Sequence, residues 1–547
     1  MVKNLKFTLP EYFNNSVKIF SNNPAYSFVG EQSISYKEVG EKVSSIIAYL
    51  ENFGIKPGDK VAILSTNNPN WGMTYFAITS MGAVAVPLLP DFSPTELDNI
   101  LEHSEAKMIF VSDTLYSKIK HIDNEFLESF VSINDFSVLK SSIQNVSYDA
   151  QDITHQVYNV SEDDLAVIIY TSGTTGSSKG VMLTHMNLTF DAVSAKEVQP
   201  VDENDRFISI LPLSHTYENT LGLILPLLGG AHVFYLRKPP TPMVLLPALK
   251  KVRPTILLTV PLIIEKIYKK SILPKFTENK VISMLYKIPL IRKRLNRIAG
   301  KKLYETFGGK LHFFGVGGAK LDSTVERFLR EAKFPYAIGY GLTETAPMIA
   351  GAPPSSSRWQ GVGPVMKGVE MIIHNPDKKT GEGEVWAKGP NVMRGYYKDP
   401  VRTKEVLTDD GWFKTGDLAT ISDDGFLFIK GRIKNMILGS TGENIYPEDI
   451  ESVINNFRYV VESVVVQKKG KLVALVHFNK EELEKHYQHL KEDISSYVDE
   501  RLDELAIELQ QYVNSRVSRF SRVELIVAQE NPFQKTATQK IKRFLYA

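Results

Sequence analysis

The chain has 547 residues, more than one hydrophobic core can serve, so two or more domains are expected. Its 64 Lys and Arg nearly balance 62 Asp and Glu, and the resulting charge of +2 excludes a bulk affinity for nucleic acid. No cysteine is present, which excludes disulfides, thiolate metal sites and cysteine nucleophiles. The start, MVKNLKFTLPEYFNN, lacks the apolar run of a signal peptide. The most apolar stretch, 221–236, is too short for a membrane span and is broken by Pro, Gly-Gly and His. A cytoplasmic protein is the expectation.

Taken in chain order, 59–66, 83–90, 106–113 and 165–172 read as buried strands rich in β-branched residues. Between them, 71–82 and 93–104 carry helical spacing, and such alternation predicts parallel, helix-covered sheets. From 360 to 430 short strands with Gly turns predict an antiparallel, barrel-like piece. A smaller unit follows, with strands in ESVVVQ and KLVALVHF and a charged helical stretch over 481–515. This stretch reads as a solvated helical pair, and the main domain boundary falls near Lys434. Residues 265–302 hold twelve Lys or Arg against two Glu, interleaved with Ile, Leu, Met and Tyr. Such a segment is a solvated helical face or a patch for anionic lipid, with nucleic acid a weaker third option because no binding motif accompanies it.

The stretch YTSGTTGSSKGVMLTH (170–185) puts a run of Thr, Ser and Gly between two apolar segments. Gly173 and Gly176 permit close backbone approach, so successive N–H groups can point at an anion. Thr174, Thr175, Ser177 and Ser178 add hydroxyls and Lys179 a point charge, a set suited to polyphosphate. It is not the G-x-x-x-x-G-K-[ST] loop, because Ser178 precedes Lys179 and Gly180 follows it.

This stretch resembles the nucleotide loop of the adenylate-forming superfamily, which includes acyl-CoA synthetases, peptide-synthetase adenylation domains and beetle luciferases. LPLSHTYE (211–218), VGGAKL (316–321), GYGLTETAP (339–347), KTGDLA (414–419), KGRIKNMILGSTGENIYPEDIE (430–451) and KTATQKIKR (535–543) follow in the family's order. The resemblance implies an α/β fold. Residues 1–433 would form a large domain of two packed, mainly parallel sheets with a β-barrel-like subdomain. Residues 434–547 would form a small mobile α+β domain. It also implies the reaction: a carboxylate and ATP give acyl-AMP and pyrophosphate, and a thiol then takes the acyl group.

Residue roles follow from the same resemblance. Thr171, Ser172, Gly173, Thr174, Thr175, Gly176 and Lys179 would bind ATP, with Gly318, Ala319, Tyr340 against adenine, Gly341, and Thr343 at the α-phosphate. Glu344 would hold Mg²⁺, Asp417 would accept both ribose hydroxyls and Arg432 would touch the ribose. Lys540 would bridge carboxylate and phosphate during adenylation, although Gln539 stands where the family commonly has Gly. Lys434 falls at the family's hinge. After the hinge turns, Ser440, Thr441, Gly442 and Glu443 would line the thiol tunnel. His215 would pack against the carboxylate, and Gly317 with Gly318 would leave space for an acyl tail.

The segment 215–230 is apolar beyond Glu218, and 301–321 resembles long-chain acyl-CoA synthetases in particular. A long-chain fatty acid is therefore the expected acid, with ATP, Mg²⁺ and CoA as the implied reactants and cofactor. Acyl carrier protein is the alternative acceptor, and an aryl or medium-chain acid the alternative substrate. A non-catalytic nucleotide-binding or membrane-associated relative is the remaining reading; it would lack Glu344, Asp417 or Lys540, and all three are present.

Overall fold

The computed structural model describes residues 5–171, 178–439, 443–487 and 494–547, excluding the side chains of 485–500. Two eight-stranded sheets dominate. The first runs Gly395–Tyr396, Lys179–Thr184, Leu165–Thr171, Val84–Leu88, Lys60–Leu64, Ala106–Val111, Ser129–Ser132 and Val138–Ser141. Its five middle strands are parallel, and its outer strands are antiparallel. The second runs Met348–Gly351, Tyr336–Gly341, Phe313–Val316, Ile256–Thr259, Arg206–Ser209, His232–Tyr235, Pro24–Phe28 and Ile34–Ser35, with only its two edges antiparallel.

The helix Pro69–Ser80 shows how the layers are joined. Asn68 caps it by accepting from the Trp71 N–H, and Pro69 occupies its first turn. Every residue from Trp71 to Thr79 is buried. A helix apolar all round has no solvent face, and this one belongs to the core that both sheets share. The helix Pro94–Ser104 instead carries one buried face, and a Ser93–Glu96 capping box starts it.

Residues 360–430 contribute an open antiparallel sheet of Glu370–His374, Gly383–Lys388, Phe413–Ile421 and Leu427–Arg432, not a closed barrel. The apolar stretch 221–236 is not one helix. It divides among a π-helical turn (Asn219–Ile224), a short helix (Leu225–Gly229) and the strand His232–Tyr235. No helix among the described residues is long and apolar enough to cross a membrane.

The C-terminal part has its own core. Strands Val460–Lys468, Lys471–Phe478 and Leu525–Gln529 form a sheet, with Ile450, Ile454, Leu505 and Leu509 packed on one face. Phe533, with Ile541 and Tyr546 of the chain terminus, covers the other face. The stretch 481–515 does contain two helices, Lys480–Tyr487 and Ile494–Asn514, but the second is not a solvated element. Its Leu502, Leu505, Leu509 and Val513 recur at helical spacing and are buried in this core.

Candidate active site

Strand ends of the two sheets meet where Asn67 bonds Ser209, and Lys540 stands exposed yet hemmed by protein near His215, a crevice at strand ends of the kind in which open α/β sheets place their ligands. Asn67, three residues beyond strand Lys60–Leu64 of the first sheet, ties the two sheets together there. Its Nδ2 donates to Ser209 Oγ (2.8 Å) and to the Leu211 carbonyl (2.6 Å), while its Oδ1 accepts from the Leu213 N–H (3.0 Å). Ser209 Oγ in turn donates to buried Glu218 (2.6 Å), so the segment leading to His215 is pinned at both ends. His215 Nδ1 accepts from the Tyr217 N–H at 3.2 Å. The remaining ring proton must then sit on Nε2. Burial and nearby Lys540 push the His215 pKa down to about 4, so the ring is a neutral donor at ordinary pH.

Asp417 and Arg432 face each other on the antiparallel strands Phe413–Ile421 and Leu427–Arg432. Asp417 Oδ1 pairs with Arg432 Nε at 2.7 Å, and its Oδ2 accepts from the Tyr340 hydroxyl at 2.8 Å. Burial raises the Asp417 pKa, while Arg432, Tyr340 and Lys540 oppose that rise. Gly341, next in chain, has no alternative residue: a Cβ there would lie 1.7 Å from the Pro347 carbonyl oxygen. The Thr343–Thr345 turn that follows presents Thr343 and Glu344, both partly exposed to the crevice.

Glu344 Oε1 accepts from Tyr396 OH at 2.8 Å, and the Lys179 ammonium lies 4.7 Å from the centre of the same ring. Tyr396 therefore touches both the anion and the cation, whose charges also act on each other. The second oxygen of Glu344 takes no hydrogen bond from the described residues. Nor do the described residues contain any cluster of three or more His, Cys, Asp or Glu that could cage a metal. One carboxylate and an open crevice fit Mg²⁺, which takes its other ligands from phosphates and water.

Lys540 enters from the C-terminal part, near enough to Arg432, Asp417, Glu344 and His215 for their charges to act on one another. The side chain stays open to the crevice, yet surrounding protein and Arg432 lower its pKa. Its loop is tight: the Thr536 N–H donates to the Lys540 carbonyl, and the Lys540 N–H donates to Thr536 Oγ1. Gln539 sits at φ 63°, the left-handed region that glycine takes freely. Gln539→Gly should stabilise that loop by up to about 1 kcal/mol, read as a raised Tm with adenylation retained. Arg543 anchors the loop base, pairing with both oxygens of Glu451.

Several contacts tie residues 446–456 to the rest of the chain. Lys320 pairs with Asp449 at 2.7 Å, Asp322 Oδ2 accepts from Ser452 (2.7 Å) and Asn456 (2.5 Å), and Tyr446 OH donates to Glu382 (2.8 Å). Lys434 lies in the exposed turn Ile433–Asn435 between the two parts.

Other expected site residues fall as follows. Thr171 ends its strand opposite Lys179. Gly318 takes φ 83°, and Ala319 next to it is exposed. Ser172, Gly173, Thr174, Thr175 and Gly176, with Ser440, Thr441 and Gly442, lie outside the described residues. Glu443 is partly buried, its carbonyl accepting from the Gly439 N–H. The space beside Gly317 is not open: a Cβ there would come 3.1 Å from Cζ of Tyr217, whose ring fills it. Sequence reasoning passed over Tyr217, Tyr396 and Asn67. A Tyr two residues after His215 was the one available signal; nothing local marks Asn67.

The chain matches the AMP-binding enzyme model over residues 13–397. It belongs to the AMP-binding enzyme family. It is 30% identical over 484 residues to a peroxisomal long chain acyl-CoA synthetase 6 of Arabidopsis thaliana, covering 81% of this chain and 68% of that protein. It is 27% identical over 546 residues to a chloroplastic long-chain-fatty-acid–acyl-carrier-protein ligase of the same plant, covering 83% and 73%. Its fold is similar to ATP-bound MatB from Rhodopseudomonas palustris, with TM-score 0.77, 23% identity, and 99% and 98% of the two chains covered.

With Asn67 pinning the His215 segment, Asn67→Ala should cut acid-dependent adenylation about tenfold, from the loss of three partly buried hydrogen bonds. The effect should appear in KM for the acid, with KM for ATP nearly unchanged; equal shifts in both would mean a general loosening of the fold.

Proposed function

We propose that this AMP-binding enzyme activates a long-chain fatty acid to acyl-AMP and transfers the acyl group to CoA. One observation carries the reading: Lys179, Glu344, Asp417, Arg432, Lys540 and neutral His215 gather around one crevice from six separate segments. ATP would lie with adenine beside Tyr340, ribose on Asp417 and Arg432, and phosphates toward Thr343, Lys179 and the loop 171–176. Mg²⁺, held by Glu344, would neutralise phosphate charge when bound. His215 would offer Nε2–H to the acid. Lys540 would sit between carboxylate and α-phosphate as the carboxylate oxygen attacks phosphorus and pyrophosphate leaves. The thiol then attacks the acyl carbon, and the bond to AMP breaks.

The division at 433/434 is part of this reading, supported by the separate C-terminal core and by the turn containing Lys434. The position of Lys540 in the crevice suits the first half-reaction. A turn about Lys434 would bring 440–443 to the acyl-adenylate for the second. The acid pocket would begin at His215 and run past Tyr217, whose ring a tail must pass or displace. Acyl carrier protein is the second acceptor to consider, because one similar protein is named a ligase to it. We also place peripheral membrane contact on 265–302.

Palmitate, ATP, Mg²⁺ and the protein, with CoA or with acyl carrier protein, separate these acceptors. Palmitoyl-CoA is the expected product. Thioester on the carrier alone would replace CoA as acceptor.

A further inference from the structure

Residues 261–306 form a helical excursion between two neighbouring strands of the second sheet, Ile256–Thr259 and Phe313–Val316. The excursion is firmly built. Phe276 stacks on Tyr286 with centroids 4.6 Å apart, Tyr286 OH donates to Asn296 (2.9 Å), and Asn296 with Arg292 binds Glu331. Those contacts use one side of the helices. The other side carries an apolar stripe of Val281, Met284 and Leu285 at i, i+3 and i+4 on the helix Lys280–Tyr286, a spacing a helix normally turns into a core, and Ile288 continues it in the connection to the next helix. Here it faces water: Val281 is 67% exposed, Met284 71% and the following Leu290 76%. Scattered exposed apolar residues are ordinary, but a stripe at helical spacing is not.

Cations flank the stripe. Lys275, Lys280, Lys287, Lys293, Arg294 and Arg297 are exposed, and none is within ion-pair distance of a carboxylate among the described residues. We infer that the outer face of helices Lys280–Tyr286 and Pro289–Thr306 docks on an anionic lipid surface, the stripe entering the acyl boundary and the cations meeting headgroups. The apolar side chains decide for lipid over an acidic protein such as a carrier, for which cations alone would serve. The excursion also leaves the sheet beside Gly317 and Gly318, where the proposed acid pocket would run. Val260 lies immediately before it, 3.7 Å from where a Gly318 Cβ would be, and Gly317 follows the strand after it. A bilayer-dissolved acid would thus reach the pocket along the wall that holds the protein to its source. This rests on the fatty-acid reading above.

The test is co-sedimentation of the full chain with phosphatidylcholine vesicles, with and without phosphatidylglycerol, using no ATP. Wild type should pellet with the anionic vesicles. Met284→Asp with Leu290→Asp should weaken that binding about tenfold, and Lys293→Glu with Arg294→Glu comparably and salt-dependently. Both variants should keep wild-type AMP formation from detergent-free octanoate and lose rate with oleate presented in vesicles. Wild type that ignores anionic vesicles, or variants that bind as wild type does, would overturn the inference. So would loss of carrier-protein binding with vesicle binding intact. AMP formation absent with every acid while vesicle binding persists would instead bring down the fatty-acid reading and leave the surface standing.

Discussion

Lys540→Ala should abolish acid-dependent formation of AMP and pyrophosphate, yet leave thioester formation from supplied acyl-adenylate near the wild-type rate. The reason is position. The C-terminal part brings the Lys540 ammonium into a crevice already holding Arg432, Asp417, Glu344 and His215. A donor aimed at charge that develops in the transition state is worth about 3–4 kcal/mol, or roughly 10²–10³ in rate. Once the adenylate exists, that charge has already left with pyrophosphate, so the second step has no use for the donor. The sign of the pH dependence follows as well. Surrounding protein and Arg432 lower the Lys540 pKa below its ordinary value, and only the protonated form can bridge two anions. Adenylation should therefore decline as pH rises through that lowered pKa, at lower pH than an unperturbed lysine would dictate. Equal loss of both half-reactions in Lys540→Ala would unseat the assignment.

Glu344→Gln should reduce adenylation about a hundredfold and raise the Mg²⁺ concentration needed for half-maximal rate. Gln preserves the side chain's size and can still accept from Tyr396, so the change removes charge and little else. A titration calorimetry readout separates metal binding from turnover: ATP affinity should lose its Mg²⁺ dependence in the variant. Tyr396 is shared with Lys179, so the variant also tests whether the cation stays in place without the carboxylate. Unchanged Mg²⁺ dependence would put the metal elsewhere.

Much of this architecture was legible because local signals agreed with the global fold. The expected strands at 59–66, 83–90, 106–113 and 165–172 match Lys60–Leu64, Val84–Leu88, Ala106–Val111 and Leu165–Thr171. Buried parallel strands are continuous apolar runs, and such runs are easy to see. The open sheet of 370–432 was harder, since closure depends on whether edge strands meet, which no single strand encodes. The helix Ile494–Asn514 reads as solvated because charged residues run along its length; the four residues that enter the core matter more than that average.

The site divides in the same way. Its phosphate, ribose and metal candidates stood in short motifs, each recognisable in its own segment. Asn67 acts across more than 140 residues, through bonds to Ser209, Leu211 and Leu213, and an isolated Asn before a helix reads only as a capping neighbour. Tyr217 shows the opposite error. Two adjacent glycines suggested room for a tail, whereas the glycine at 317 makes room for a tyrosine ring of the protein itself. Space left by a missing side chain belongs to whichever neighbour fills it first.

The most direct measurement of the central claim is exchange of labelled pyrophosphate into ATP by the wild-type protein, with palmitate and Mg²⁺ and without CoA. An adenylating crevice predicts label in ATP that depends on the acid and disappears when palmitate is omitted. Acid-independent exchange, or ADP and phosphate in place of AMP and pyrophosphate, would contradict it.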